Sequence, residues 1–357
     1  MYTIDNRFAT TDLAEVRIGG SVGHLLGKLI EGRITSQEAR DGGYREAEDA
    51  FKHCVDDQII VGYWQGEFWG KWVISAARVC RHTGDRELAE FLRQGCYALM
   101  SYQREDGYIG TYKDSLNMFA CDRQEAKKVV GWECNWNWNV WCRKYTLWGL
   151  VECHLLLHDP KILDAACRHA SHLIKELRDN NIRLCDTGTF NGLPSGSIIK
   201  PMLLLWEITG NREYLDFAVE AAGDWDRPDG RCPNLIANAR SGKPVHEWYP
   251  ESQTWAKAYE MMSCLDGLLE LYRVTGKQEY FQAVEAIYER LLEAEYNTVF
   301  SVGFNDIFGH AADKINAASE PCDAIHWLRV SYDLYMLTGK SRYLDLFELA
   351  FYNSFLA

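Results

Sequence analysis

Amphipathic runs that stop repeatedly at Thr-Gly, a low proline content and sparse strand patterning predict an all-α protein, an α/α toroid of helical hairpins of the six-hairpin barrel type. The joints are Thr83-Gly84-Asp85, Thr209-Gly210-Asn211, Thr275-Gly276-Lys277 and Thr338-Gly339-Lys340, with Leu157-His158-Asp159-Pro160 in the same context. Gly ends a helix by adopting the left-handed conformation at little cost. The polar residue after it can cap the next helix, whose buried stripe begins three or four positions on. Each joint therefore reads as the tight turn of an antiparallel hairpin. The joints lie about 50 to 75 residues apart, a hairpin plus its loops. Solenoids keep a tighter period, so long and irregular inter-hairpin loops favour a closed toroid, with loops gathered at one end around a cleft.

Each element follows from local pattern. The 357 residues contain only 8 Pro, which suits long helices. The run from Ala256 through Tyr272 is strongly helical. The apolar stretch Asn297–Val302 is the main strand candidate, a short β segment near the cleft. No Pro-, Gly- or Ser-rich linker interrupts the chain, so residues 1–357 read as a single catalytic-type domain. The formal charge of −13 argues against a nucleic-acid partner. No apolar stretch reaches spanning length, which argues against a membrane partner. The start, Met1–Leu13, lacks a basic segment followed by an apolar run, and the 12 Cys are scattered. Both features predict a cytoplasmic protein with reduced thiols. The sequence leaves homo-oligomerisation open.

Four segments carry candidate chemistry. In Tyr63–Trp72, two glycines allow a close backbone approach, and Trp64, Glu67 and Trp69 combine flat apolar faces with a carboxylate, the elements of a sugar site. Trp72 falls on the apolar face of the following helix and reads as packing. In Gln103–Tyr112, Asp106-Gly107-Tyr108 is good turn chemistry, and Asp106 and Tyr108 are candidates for either a cap or a ligand contact. In Trp132–Tyr145, Trp138, Trp141 and Tyr145 share one helical face by spacing. That face, with Lys144, is expected to line the cleft in part, the alternative being a bulky interior seal. In Ser319–Trp327, Pro321 suits a first helical turn. Glu320 and Cys322 then stand where a helix dipole favours anions and lowers a thiol pKa, a setting that could hold Zn²⁺ with His326 one turn on. The common alternative is Glu as a cap and Cys as core. His24, His53, His154 and His172 show no ligand spacing.

The segments WQGEFWGKW, QREDGYIGTY, WCRKYTLWGL, KAYEMMSCLDGLLELYRVTG and EPCDAIHWLRVSYDLYMLTGKSRYLDLFELAFYNSFLA occur in order from about Trp64 to Ala357. On them the chain resembles glycoside hydrolase family 127, the β-L-arabinofuranosidases, in a divergent branch. The resemblance implies a toroid usually followed by β-sandwich domains, a carbohydrate substrate and a retaining mechanism with a zinc-bound cysteine nucleophile. It implies zinc ligands at Glu320 and Cys322, completed in the family by two adjacent cysteines. Those cysteines would follow Ala357, so this reading makes the chain a fragment or a natural truncation with an incomplete zinc ligand set. The acid/base Glu of this branch sits in a segment like NELWDHG, and its counterpart here is Asp306, one methylene, about 1.5 Å, shorter. The catalytic candidates are Asp306 and Glu320. The sugar-contact candidates are Trp64, Glu67, Trp69, Asp106, Tyr108, Trp141, Lys144, Tyr145 and Glu260. Three histidines that contact sugar in characterised members correspond to Tyr145, Ser195 and Lys257. Competing readings on the same fold are a metal-free unsaturated-uronyl hydrolase or sugar epimerase, and a sugar-binding toroid without turnover.

Overall fold

The computed structural model describes residues 2–55, 64–119, 137–225, 233–249, 257–313 and 318–356. The chain divides into two compact units, Thr10–Ile182 and Met1–Ala9 with Arg183–Ala357.

In the Thr10–Ile182 unit the helices are α1 (Gly20–Ile30), α2 (Arg45–Val55), α3 (Gly66–Thr83), α4 (Arg86–Ser101), α5 (Asn139–Leu157) and α6 (Pro160–Asp179). Every residue of α5 from Asn139 to Cys153 is buried. A helix that is enclosed all round needs neighbours that come close on several sides. Glycines supply that closeness. A Cβ at Gly66 would stand 2.8 Å from Cys142 Cβ, and one at Gly149 would stand 2.8 Å from the Trp69 ring. At Gly70 a Cβ would run into the Tyr145 carbonyl. The two glycines of the Trp64–Trp72 segment thus let α3 approach α5. Trp72 packs as expected, against Tyr44 and Phe91 at 4.9 and 5.8 Å.

The second unit contains α7 (Ile199–Thr209), α8 (Arg212–Gly223), α9 (Leu235–Ser241), α10 (Ala258–Thr275), α11 (Gln278–Ala294), α12 (Pro321–Thr338) and α13 (Ser341–Ala350). Its N-terminal residues form a strap over helix ends. Thr3 and Ile4 N–H both donate to the Arg273 carbonyl at 2.9 Å, and Arg7 N–H donates to Met336 at 2.7 Å. These bonds satisfy carbonyls that the last turns of α10 and α12 cannot use internally. Phe8 stacks on Tyr335 at 5.0 Å.

The joints form as the pattern requires. Gly84, Gly210, Gly276 and Gly339 have φ of 70, 68, 73 and 71°. Each returns its N–H to the carbonyl four residues back, at 2.7–2.8 Å. His158, at φ 52°, does the same without glycine. The threonine before each glycine has two functions. Thr275 Oγ1 donates to the Leu271 carbonyl at 2.6 Å and accepts from Lys277 N–H at 3.3 Å, and Thr83, Thr209 and Thr338 repeat the arrangement. Asp85, Asp159 and Asn211 cap the helices that follow. Lys277 and Lys340 do not, because lysine carries no acceptor.

Residues 297–302 are not a strand. Asn297 Oδ1 accepts from both Val299 and Ser301 N–H, at 3.2 and 2.9 Å, and folds the segment into a turn. Among the described residues β pairing is confined to isolated bridges at Lys257–Ile307 and Phe304–Ile307. No helix among them is long and apolar enough to cross a membrane.

Candidate active site

The Phe304–Ile307 bridge closes a two-residue turn. Phe304 N–H donates to Ile307 at 2.8 Å and Ile307 N–H returns to Phe304 at 3.2 Å. The central residues Asn305 and Asp306 both have positive φ, 53 and 60°, as a type I′ turn demands. Asp and Asn tolerate that conformation better than other non-glycine residues, because a short polar side chain can bond locally. Here Asn305 Oδ1 accepts from Ala318 N–H at 3.1 Å. The turn aims Asp306 at the start of α10. Its Oδ2 is ion-paired with Lys257 Nζ, and its Oδ1 accepts Tyr259 N–H at 3.2 Å.

Across from Asp306 stands the first turn of α12. Glu320 occupies the N-cap position, but its side chain makes no cap hydrogen bond. The carboxylate turns instead toward Cys322, with Oε2 3.6 Å from Sγ. One donor atom each from Asp306, Cys322 and Asp323 lies within 4.8 Å of the others. Asp323 is 0 % exposed, and no donor among the described residues reaches either of its oxygens. Glu260, 2 % exposed, stands in the first turn of α10.

This charge arrangement decides the electrostatics. Burial, then Asp323, Asp306, Glu320 and Glu260, push the Cys322 thiol well above its ordinary value. The lowered thiol pKa expected of a helix start is therefore corrected: burial and four carboxyls outweigh the dipole. Burial and Asp306 likewise push the Asp323 carboxyl far above its ordinary value. Burial opposes the Lys257 charge, but Glu260 and Asp306 override it and raise the ammonium pKa. A thiol among carboxylates, one of them buried with no donor, fits a divalent cation with borderline-soft character such as Zn²⁺. His326 does not join this donor set. Its Nε2 meets Ser263 Oγ at 2.9 Å and its ring stands edge-on to Tyr259 at 4.3 Å.

The other candidate residues lie in the Thr10–Ile182 unit. Trp138, Trp141, Tyr145 and Trp148 form a ladder along α5, with successive ring centroids 5.8, 5.2 and 6.4 Å apart. Trp132 and Trp136 lie outside the described residues. Lys144 Nζ lies 3.9 Å from the Trp141 ring centroid and 4.3 Å from that of Tyr145. Glu67 accepts the Trp141 indole N–H and pairs with Lys71 at 3.0 Å. These four candidates form one cluster, buried at 1–8 % exposure. Trp64 sits half-buried just before it and accepts Glu67 N–H at 2.9 Å.

Trp69 is placed elsewhere. It is 0 % exposed, wedged against Gly149 and donating to Tyr44 Oη at 3.4 Å, so its ring faces helix packing. Asp106 and Tyr108 serve their turn. Asp106 Oδ1 accepts Tyr108 N–H at 3.0 Å, and the enclosed Tyr108 lies beneath the Arg104 and Arg143 guanidiniums at 4.7 and 4.6 Å. Ser195 is buried in a single helical turn, Leu193–Gly196.

Several residues with a role have no sequence signal of their own. Gly303 has φ +87°, and a methyl there would collide with Asp323 Oδ2, so it makes the room Asp323 occupies. Behind the acidic cluster, Asp266 is held ionised by Arg329 and by Lys200 at 2.9 Å, against burial. His169, 2 % exposed, is pulled down to about 3 by burial and by Arg143. It accepts Ile109 N–H at Nδ1, so its Nε2–H donates to the Arg143 carbonyl.

Residues 32–357 match the family model described as β-L-arabinofuranosidase, GH127 catalytic domain. A solved GH127 β-arabinofuranosidase is 17% identical, with a TM-score of 0.69 over 99% of this chain and 55% of its own. A GH127 β-L-arabinofuranosidase of Geobacillus stearothermophilus T6 is 18% identical, with a TM-score of 0.65 over 93% of this chain and 53% of its own. A GH76 α-mannanase of Bacteroides thetaiotaomicron is 15% identical, with a TM-score of 0.52 over 88% and 84%. The chain thus spans about half the length of the solved GH127 structures it matches. No curated protein matches the sequence. At these identities the likeness shows the fold, which is the α/α toroid of helical hairpins.

Proposed function

Because the chain belongs to the GH127 β-L-arabinofuranosidase catalytic-domain family, we propose that it carries the proton-transfer and ligand residues of a glycoside hydrolase. The observation that carries this reading is the turn that delivers Asp306 to within 4.8 Å of the Cys322 and Asp323 donor atoms. Asp306 is the acid/base: it protonates the leaving oxygen as the glycosidic bond breaks and then takes the proton from the attacking water. Lys257 and Tyr259 N–H hold its two oxygens, so its direction is set before a sugar arrives. Its shorter side chain compared with Glu is matched by a turn that only short polar residues adopt cheaply.

Glu320 and Cys322 would hold the zinc. When bound, the ion supplies Lewis acidity and keeps thiols ionised at neutral pH. Cys322 is a ligand in this reading, and the nucleophilic cysteine implied by the resemblance is a different residue. Each unit carries its own proposed sugar contacts, through ring faces and hydroxyl hydrogen bonds: Glu260 in the Arg183–Ala357 unit, and Trp64, Glu67, Trp141, Lys144 and Tyr145 in the Thr10–Ile182 unit. By the resemblance, Tyr145, Ser195 and Lys257 correspond to histidines of characterised members, which supports a sugar other than arabinofuranose.

The test is a screen of aryl furanosides and pyranosides with the complete gene product. Hydrolysis of one of them, reduced about 10²–10⁴-fold in Asp306→Asn, supports the reading. A screen in which sugars bind without turnover moves the protein to the carbohydrate-binding reading.

A further inference from the structure

We propose that Asp323 is a zinc ligand, so that Glu320, Cys322 and Asp323 form a three-donor Zn²⁺ site on the first turn of α12, with Asp306 at its edge. The inference rests on the zinc reading above and adds a donor that neither the Glu-x-Cys spacing nor the family pattern supplies.

Four observations lead to it. Asp323 is 0 % exposed and no donor among the described residues reaches either of its oxygens. An acidic residue at the third position of a helix has an ordinary structural use, reaching back to the N-cap N–H in a capping box. Asp323 does not take that use, since no donor among the described residues, the N-cap N–H included, reaches either oxygen. Its carboxylate is aimed at a sulfur and another carboxylate, all within 4.8 Å, while Glu320 Oε2 already stands 3.6 Å from the same sulfur. Gly303 leaves room for the Asp323 carboxylate where any side chain would collide.

Donor assignment follows from who is already engaged. Both Asp306 oxygens have partners, Lys257 and Tyr259 N–H. No N–H or hydroxyl donor among the described residues reaches either Asp323 oxygen, whose carboxyl meets that of Asp306. A cation therefore gains most from Asp323, and Asp306 keeps its proton-transfer role. Charge points the same way: Glu260, Asp306, Glu320 and Asp323 converge, with Lys257 set against them. Metal–donor bonds of about 2.0–2.3 Å place the donors of a tetrahedral ion about 3.5 Å apart. Two carboxylates and one thiolate favour Zn²⁺ over Mg²⁺ or Ca²⁺, which avoid sulfur. On binding, Cys322 gives up its thiol proton and Asp323 its carboxyl proton to solvent.

The experiment is Zn²⁺ titration of the apo-protein against a chromophoric chelator, with Co²⁺ substitution followed by absorbance. Wild type, Asp323→Asn, Cys322→Ser and Asp323→Cys are compared. Asn keeps the shape of a protonated Asp323, so the apo fold is retained. The expected result is one zinc per wild-type chain, affinity about 100-fold weaker in Asp323→Asn, and no thiolate-to-cobalt band in Cys322→Ser. Asp323→Cys should bind zinc tightly and show about twice the thiolate-to-cobalt intensity, placing position 323 on the ion even if the Asn variant folds poorly. Wild-type affinity and an unchanged cobalt spectrum in Asp323→Asn, with zinc still lost in Cys322→Ser, would overturn Asp323 as a ligand and leave the Glu320–Cys322 reading standing. A single-thiolate spectrum in Asp323→Cys would overturn it too. No zinc in wild type would overturn both.

Discussion

Arg143→Met tests how α5, the helix bearing Trp141, Lys144 and Tyr145, is anchored. Arg143 is 0 % exposed, donates to Glu176 and His172 at 2.8 Å each, and covers the Tyr108 ring. Methionine replaces the volume and removes the charge. Glu176, with its side chain 8 % exposed, then loses its principal partner. Breaking one side of a buried pair costs about 3–5 kcal/mol. The loss should depend on pH. Burial and then Arg143 hold His172 below its ordinary value in the wild type. Without Arg143, His172 keeps Glu176 at 3.8 Å and Asp106 at 3.5 Å and loses a repelling charge, so its folded pKa rises relative to the wild type. The folded variant then binds a proton more readily than the wild type as pH falls, and each tenfold gain in that affinity contributes about 1.4 kcal/mol. The wild type moves oppositely, because His169 is held down to about 3 and resists acid. The deficit of the variant should therefore shrink from pH 8 to pH 5. Urea denaturation followed by far-ultraviolet circular dichroism at each pH measures it. A deficit below about 1 kcal/mol, or one that does not change with pH, would refute the reasoning.

Two further outcomes follow from packing and charge. Gly70→Ala would force the Tyr145 carbonyl and α3 apart, and should cost about 3 kcal/mol by overpacking; thermal melts within a few degrees of wild type would show that the helices give way easily. Asp333 is raised to about 7, by burial first, with Lys200 opposing and Asp266 adding to the rise. Its folded pKa exceeds the unfolded one, so stability should fall as pH rises from about 4 to about 7. With that side chain 31% exposed, the fall should be about 1–2 kcal/mol and absent in Asp333→Asn; a fall that persists in the variant would place its origin elsewhere.

What could be seen in the sequence were features that act within one or two turns. Thr-Gly joints announce themselves because a left-handed cap is a local requirement, and Gly276 does what its neighbours imply. The i, i+3, i+7 spacing of Trp138, Trp141 and Tyr145 gave the aromatic ladder for the same reason. Features that depend on distant partners were hidden. Trp64–Trp72 looked like a ligand loop, yet its glycines serve Cys142 and Tyr145 more than seventy residues on. Asn297–Val302 had strand-like composition, but one asparagine side chain outcompeted ladder pairing. Asp323 carries no local signal, because only tertiary structure brings Asp306 and Gly303 against it.

The central claim is that Asp306 transfers the proton to the departing sugar oxygen. The direct measurement is the leaving-group dependence of Asp306→Asn on aryl glycosides of the sugar found to turn over. The account predicts a loss of about 10²–10⁴-fold for phenols of high pKa and little loss for dinitrophenol, which departs without a proton. An equal loss across all leaving groups would contradict it, and would leave Asp306 as a residue that only shapes the cluster.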